Sequence, residues 1–298
     1  MSAVKLFQTH DQQVDRLVSR GMEGGDREVA VDKLHQISYY RLSGYWYPFR
    51  RRTSTGRSDD FEPGTTLTDV LALYQFDVSL RAMTFASLAP IELTIRAHLG
   101  HALGEVGERI HLEPEKLNTR ARFGGRYRRW LDRYQRELAD SREDFVLHHR
   151  QSYEGVLPVW AAVEILDWGG LTMLYGFAPR GVQDAVSERL GLSAPQLESW
   201  LRSLNIVRNV CAHHGRLFNR VFALSPKLPA VGLHPALDLP NSYARAFGQL
   251  TLVQFLLERM GVKRSVLPAV LRTFPSVQLV PVGSTGAPDR WAESPLWS

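Results

Sequence analysis

LRSLNIVRNVCAHHGRLFNR, residues 201–220, decides the reading of the whole chain. Wound on a helix at about 100° per residue, Leu204, Val207, Cys211, His214 and Phe218 fall on one stripe, which the spacing assigns to a core. Asn209, His213, Arg216 and Arg220 fall on a second, with Arg208 flanking it. A helix with one apolar line and one cationic line belongs in a helical bundle, its polar face left open. The stripes also separate the two adjacent histidines. His213 stands among Arg and Asn and is expected to do chemistry, whereas His214 projects toward the apolar line and is expected to be structural. Gly215 is the point at which this helix can fail.

Helical periodicity continues outward in both directions, and no convincing alternating strand interrupts it. The pattern predicts helices over Thr9–Arg20, closed by Gly21, and from an Asp26 N-cap into Ser38. A long helix follows from Thr68 to about Leu103, with Pro90 expected to kink or divide it. Further helices are predicted near Arg126–Asp140, Pro158–Asp167, Val182–Leu190 and Pro195–Asn219, the last with Ser193 as its cap. Arg51–Thr66, polar and rich in Gly and Ser, reads as a loop, as does the proline-broken stretch Leu224–Pro240. One or two helices close the fold between Ser242 and Thr273. The class is therefore all-α. Residues 1–66 form an N-terminal helical segment on a core at 67–225, whose active-site helix spans 195–219. Residues 226–280 add a loop and helices, and 281–298 a mobile tail with Trp291 and Trp297 as docking points.

Composition limits the function classes. The 298 residues are 44% hydrophobic and 22% charged, as in an ordinary globular protein. No apolar run approaches the roughly 18–20 residues needed to cross a bilayer, and Met1–Gly21 lacks an apolar leader pattern, so a cytoplasmic location without membrane association is expected. Cys211 is the only cysteine, which excludes an intrachain disulfide and any zinc site built on several thiolates. A net charge of +5 favours polyanionic partners without choosing among them. No HExxH, phosphate-loop or GxSxG pattern occurs.

The residue types at Arg208–Arg220 suit phosphoryl chemistry. An imidazole titrates near neutrality and can take or give a proton. A guanidinium beside it stays charged, holds phosphate and disfavours imidazolium, keeping the ring available as a base. Asn209 can orient the ring or bind a phosphate oxygen. Together they fit attack of a ribose 2′-hydroxyl on its neighbouring phosphate, a route that uses no metal or other cofactor and requires RNA. In-line displacement also needs an acid on the far side, and a second copy of the chain would supply it.

RNVCAHHGRLFNR resembles the signature of the Abi-like (abortive infection) proteins, a branch of the HEPN ribonuclease superfamily. Arg208, Asn209 and His213 match that superfamily's pattern of Arg, polar residue, spacer and His. KLHQISYYRLSGYWYPFR (Lys33–Arg50), LYQFDVSLRAM (Leu73–Met83), IELTIRAHLGHAL (Ile91–Leu103) and LPVWAAVEILDWGGLTMLYG (Leu157–Gly176) are similar to family segments in the same order. The resemblance covers about residues 15–225 and implies an HEPN-like helical bundle. It further implies a metal-independent endoribonuclease leaving 2′,3′-cyclic phosphate and a toxin-type role in phage defence; any antitoxin partner, RNA or protein, is not revealed by the sequence.

Supporting roles fall to Arg216, Glu164 and His214. Glu92 and Glu164 lie in apolar runs and need partners: Glu92 suits Arg96 at i, i+4, and Glu164 a contact to Arg208 or another cation of the site. Tyr39, Tyr40, Tyr45, Trp46 and Tyr47 are expected to pack. Arg120–Arg136 interleaves arginines with Tyr127, Trp130 and Tyr134, so Arg126, Arg128, Arg129 and Arg133, with Arg220, are the RNA-binding candidates. His148–His149 resembles an exposed helix end. Two other readings fit the same residues: a non-catalytic RNA-binding module, and a helical regulator whose basic surface meets an acidic partner.

Overall fold

A computed structural model describes residues 4–262 and 265–298. Met1–Ala3, where the leader reading begins, and Lys263–Arg264, within the stretch Ser242–Thr273 expected to hold the closing helices, lie outside the described residues.

Thirteen α-helices are found among the described residues: α1 His10–Ser19, α2 Arg27–Ile37, α3 Tyr39–Trp46, α4 Leu67–Gly104, α5 Thr119–Arg122, α6 Gly125–Asp140, α7 Asp144–Ser152, α8 Val159–Ala162, α9 Trp168–Phe177, α10 Arg180–Glu188, α11 Ala194–Ala212, α12 Ala246–Arg259 and α13 Leu267–Arg272. Local signals explain several boundaries. Thr9 caps α1 by accepting from the Gln12 amide at 3.3 Å, and Asp26 caps α2 by accepting from Glu28 at 2.8 Å. Ser38, at φ 65°, turns the chain from α2 into α3. At the head of α11 the Ser193 amide donates to Gln196 Oε1 at 2.8 Å, with Pro195 in the first turn.

Helix α4 is the axis of the bundle: α3, α8, α10, α11, α12 and α13 all pack on it. Its row Leu73, Leu80, Leu88, Ile91, Ile95, Leu99 and Leu103 is buried along the length of the helix. By length and composition this helix could also cross a membrane, a property hidden from a count of uninterrupted apolar runs because charged residues divide it. Of the two expected effects of Pro90, division does not occur: the helix continues through the proline. Burial of Leu88 and Ile91 on either side of the proline holds the turn together where one backbone hydrogen bond is lost.

The Arg51–Thr66 loop is in part a hairpin, with β1 Arg50–Thr53 and β2 Gly56–Phe61 paired antiparallel in the register Arg52↔Arg57. Its strands carry almost no apolar residues, so the usual alternation was absent. Phe49 and Phe61 at its base are buried and fix it to the bundle.

Residues 281–298 pack against the bundle, at the two tryptophans expected as docking points. Trp297 is fully buried and stacks on Phe247 of α12 at 4.9 Å, with Trp291 edge-on to it at 5.7 Å. Arg272 Nη2 donates to the Trp297 carbonyl at 2.7 Å.

Candidate functional site

Helix α11 buries Leu204, Val207 and Cys211 as their stripe requires. Burial raises the Cys211 thiol to about 12, with the nearby Asp77 charge adding to the effect, so it is an inert core group. The helix stops at Ala212, earlier than Asn219. His213 is its C-cap, His214 adopts the left-handed conformation at φ 55°, and the Gly215 amide returns to the Val210 carbonyl at 2.8 Å while His214 donates to Cys211 at 3.2 Å. These two bonds form a Schellman closure with histidine where glycine is usual.

The early stop overturns one assignment. His214 is exposed, not part of the core stripe, because that stripe exists only while the helix continues. Its carbonyl accepts from Arg41 Nη1 of α3 at 2.7 Å. His213 and Asn209 are also exposed, and the His213 amide donates to the Asn209 carbonyl at 3.0 Å. Arg208 is half-buried; its Nη1 reaches Asn209 Oδ1 at 3.5 Å and its guanidinium lies 5.5 Å from the Phe85 ring of α4. Its buried Nε has no hydrogen-bond partner. Arg208, Asn209 and His213 thus share the last turns and cap of one helix, with the His214 imidazole next in the chain and Arg41 bonded to the His214 carbonyl.

Arg216 is drawn away from that corner. It donates to the Gly44 carbonyl of α3, and burial lowers its pKa. A side chain on Gly44 would come within 2.7 Å of the same guanidinium. Arg220 turns back to the Arg216 carbonyl and the Phe222 ring. Glu164 is exposed, and its nearest cation is Arg96 Nε at 3.9 Å, so the expected contact to Arg208 is absent; the apolar run around it alternates between helix and 3-10 turn, which points this carboxylate outward. Glu92 pairs with Arg96 at 2.7 Å as its spacing requires.

A family model described as Abi-like protein matches residues 32–219. The chain belongs to the Abi-like protein family. No match was found among curated proteins or among solved structures. The matched span of this Abi-like protein ends at Asn219, so it encloses the α11 corner and everything that braces it, while α12, α13 and the packed tail lie beyond it.

The brace was missed in the sequence. Asp77 of α4 is fully buried and accepts from the Leu217 and Phe218 amides at 3.1 and 2.7 Å, from the Tyr45 hydroxyl at 2.6 Å, and from Arg81. Burial raises the Asp77 carboxyl, opposed by Arg81 and the three neutral donors. A buried carboxylate with this many donors fixes the chain immediately after Gly215. An Asp–Arg pair at i, i+4 inside the apolar α4 pattern was the available signal.

In this Abi-like protein the α6 face is divided. Tyr127, Trp130 and Tyr134 are buried, Trp130 Nε1 donating to the Gly170 carbonyl at 3.0 Å. Arg126, Arg128 and Arg129 are exposed and make no ion pair among the described residues, whereas Arg133 is held by Glu137 and Asp167, each at 2.8 Å. Of the upstream aromatics, Tyr45 and Trp46 are buried and Tyr40 and Tyr47 exposed. Among the described residues no group of three or more His, Cys, Asp or Glu could hold a metal ion.

Proposed function

We propose that this Abi-like protein is an HEPN-type endoribonuclease that cleaves RNA through its 2′-hydroxyl without a metal, as an abortive-infection effector. His213 moves the proton, Arg208 holds and stabilises the phosphate, and Asn209 positions them. The observation that carries this reading is the solvent-facing end of α11, where Arg208, with an unpartnered Nε, and the exposed C-cap His213 lie five residues apart. Exposed Arg126, Arg128 and Arg129 would grip the strand elsewhere.

Acid and base on opposite sides of the phosphate require a second set, and a symmetric copy would bring it. Ala82, Ala86, Ala89 and Leu93 lie exposed along α4 at helical spacing, next to the Phe85 that touches Arg208. An apolar strip in that position supports a homodimer with a shared cleft.

Purified protein is expected to cut single-stranded RNA in EDTA, leave 2′,3′-cyclic phosphate ends and spare all-deoxy strands. His213→Ala should lower the rate by about 10²–10⁴-fold, and Leu93→Glu should yield monomers with native circular dichroism and little cleavage. Wild-type rates in His213→Ala would end the proposal. Salt-dependent RNA binding with no cleavage would favour instead a non-catalytic module gripping RNA on α6.

A further inference from the structure

A cleft of about 650 Å³ lies between the segment Gly107–Lys116 and the connection from α7 to α8. Its size falls in the range of small-molecule sites. Four rings line it: His148, His149, Tyr153 and Trp160. Tyr153 is 57% and Trp160 49% exposed, unusual for groups whose burial is normally a major source of stability. Gathered in one concavity, they form a stacking surface.

The rings are held in place. His149 Nδ1 is 2.7 Å from the Phe145 carbonyl, which fixes its plane and leaves Nε2 available. The Tyr153 ring sits 5.2 Å from His149 and 5.6 Å from His148. Behind it the chain reverses through Glu154 and Gly155, both left-handed, and the Tyr153 and Gly155 amides both donate to the His149 carbonyl at 2.9 Å. Trp160 backs onto α4 where only glycine leaves room: a side chain on Gly104 would come within 2.9 Å of the indole.

Charge narrows the ligand. Glu113 is paired with Lys116 at 2.6 Å. Arg109 and Glu108, also in the lining, make no ion pair among the described residues. A purely apolar ligand would desolvate both without compensation, and a quaternary ammonium would meet the Arg109 guanidinium. A planar base with an exocyclic amine, joined to a phosphate, satisfies all three elements: rings for the base, Glu108 for its N–H or ribose hydroxyl, Arg109 for the phosphate.

We propose that this cleft binds a purine nucleotide, at a site separate from the α11 corner. The inference does not depend on ribonuclease activity. Calorimetric titration of the full chain with AMP should give saturable binding. Adenosine, lacking the phosphate, should bind at least about fivefold more weakly. Tyr153→Ala and Arg109→Ala should each weaken AMP by about tenfold, while His213→Ala leaves it unchanged. Absence of saturable AMP binding at millimolar concentration by folded protein would overturn the proposal. So would affinity unmoved in both cleft variants, stronger binding of choline than of AMP, or binding of a short RNA that AMP does not displace.

Discussion

Four donors meet at the Asp77 carboxylate, two of them backbone amides of the loop carrying Leu217 and Phe218. Asp77→Ala would leave the buried Arg81 with only the Tyr45 hydroxyl and no counter-charge, and two backbone amides without an acceptor, so unfolding in urea should show a loss of about 3–5 kcal/mol. A loss below about 1 kcal/mol would mean that water enters the gap. His111 is the second residue with a measurable signature. It is fully buried, 3.3 Å from the Tyr134 hydroxyl, and burial lowers its pKa to about 4. Between about pH 6.5 and 4 the unfolded chain takes up a proton that the folded chain refuses, so stability falls as pH falls through that window. The loss should approach the order of 3 kcal/mol at pH 4, and His111→Phe should remove that part of the pH dependence of the urea midpoint. At this scale Arg208, Asn209 and His213 were legible because their types carry chemistry wherever the backbone runs. Arg41 and Asp77 were not, since each acts across more than a hundred residues of sequence on a turn that no periodicity describes.

The end of α11 shows how an element can be read correctly and its boundary missed. The stripe from Leu204 to Cys211 held, but its extrapolation to His214 failed because the closing left-handed residue is histidine, one place before the glycine that would have announced it. His214→Gly should therefore raise stability, by about 0.5–1 kcal/mol once the extra freedom of glycine in the unfolded chain is deducted. Thermal melting a few degrees higher would show it, and an unchanged or lower midpoint would mean that the imidazole makes a compensating contact. The hairpin escaped for the opposite reason: Arg50–Thr53 is polar throughout, so its pairing follows from the Gly56 turn and the two flanking phenylalanines. At the head of α12, Gly248 tolerates no side chain, since a Cβ there would come within 2.4 Å of the Ser242 carbonyl. Gly248→Ala should destabilise by about 1–3 kcal/mol in denaturant titration, through displacement of the α12 entry.

Across the whole molecule, one hydrophobic core runs from Val14 to Trp297, well past the matched span at both ends. The tail belongs to it: its prolines, glycines and serines suggested mobility, but Trp291 and Trp297, the expected docking points, are set against Phe247. Trp297→Ala should cost about 3–5 kcal/mol and expose Phe247, read as a lower melting temperature. An all-helical bundle was legible because apolar spacing repeats over many turns, whereas the order in which helices crowd α4 depends on contacts that spacing does not encode. The Asp77 bond to Phe218 spans 141 positions. A ribosome must therefore translate past Phe218 and release that stretch before the corner after α11 can set. A frameshift or stop codon upstream would leave the Asp77 socket empty and the histidines untranslated, so truncated products would lack the assembled corner altogether.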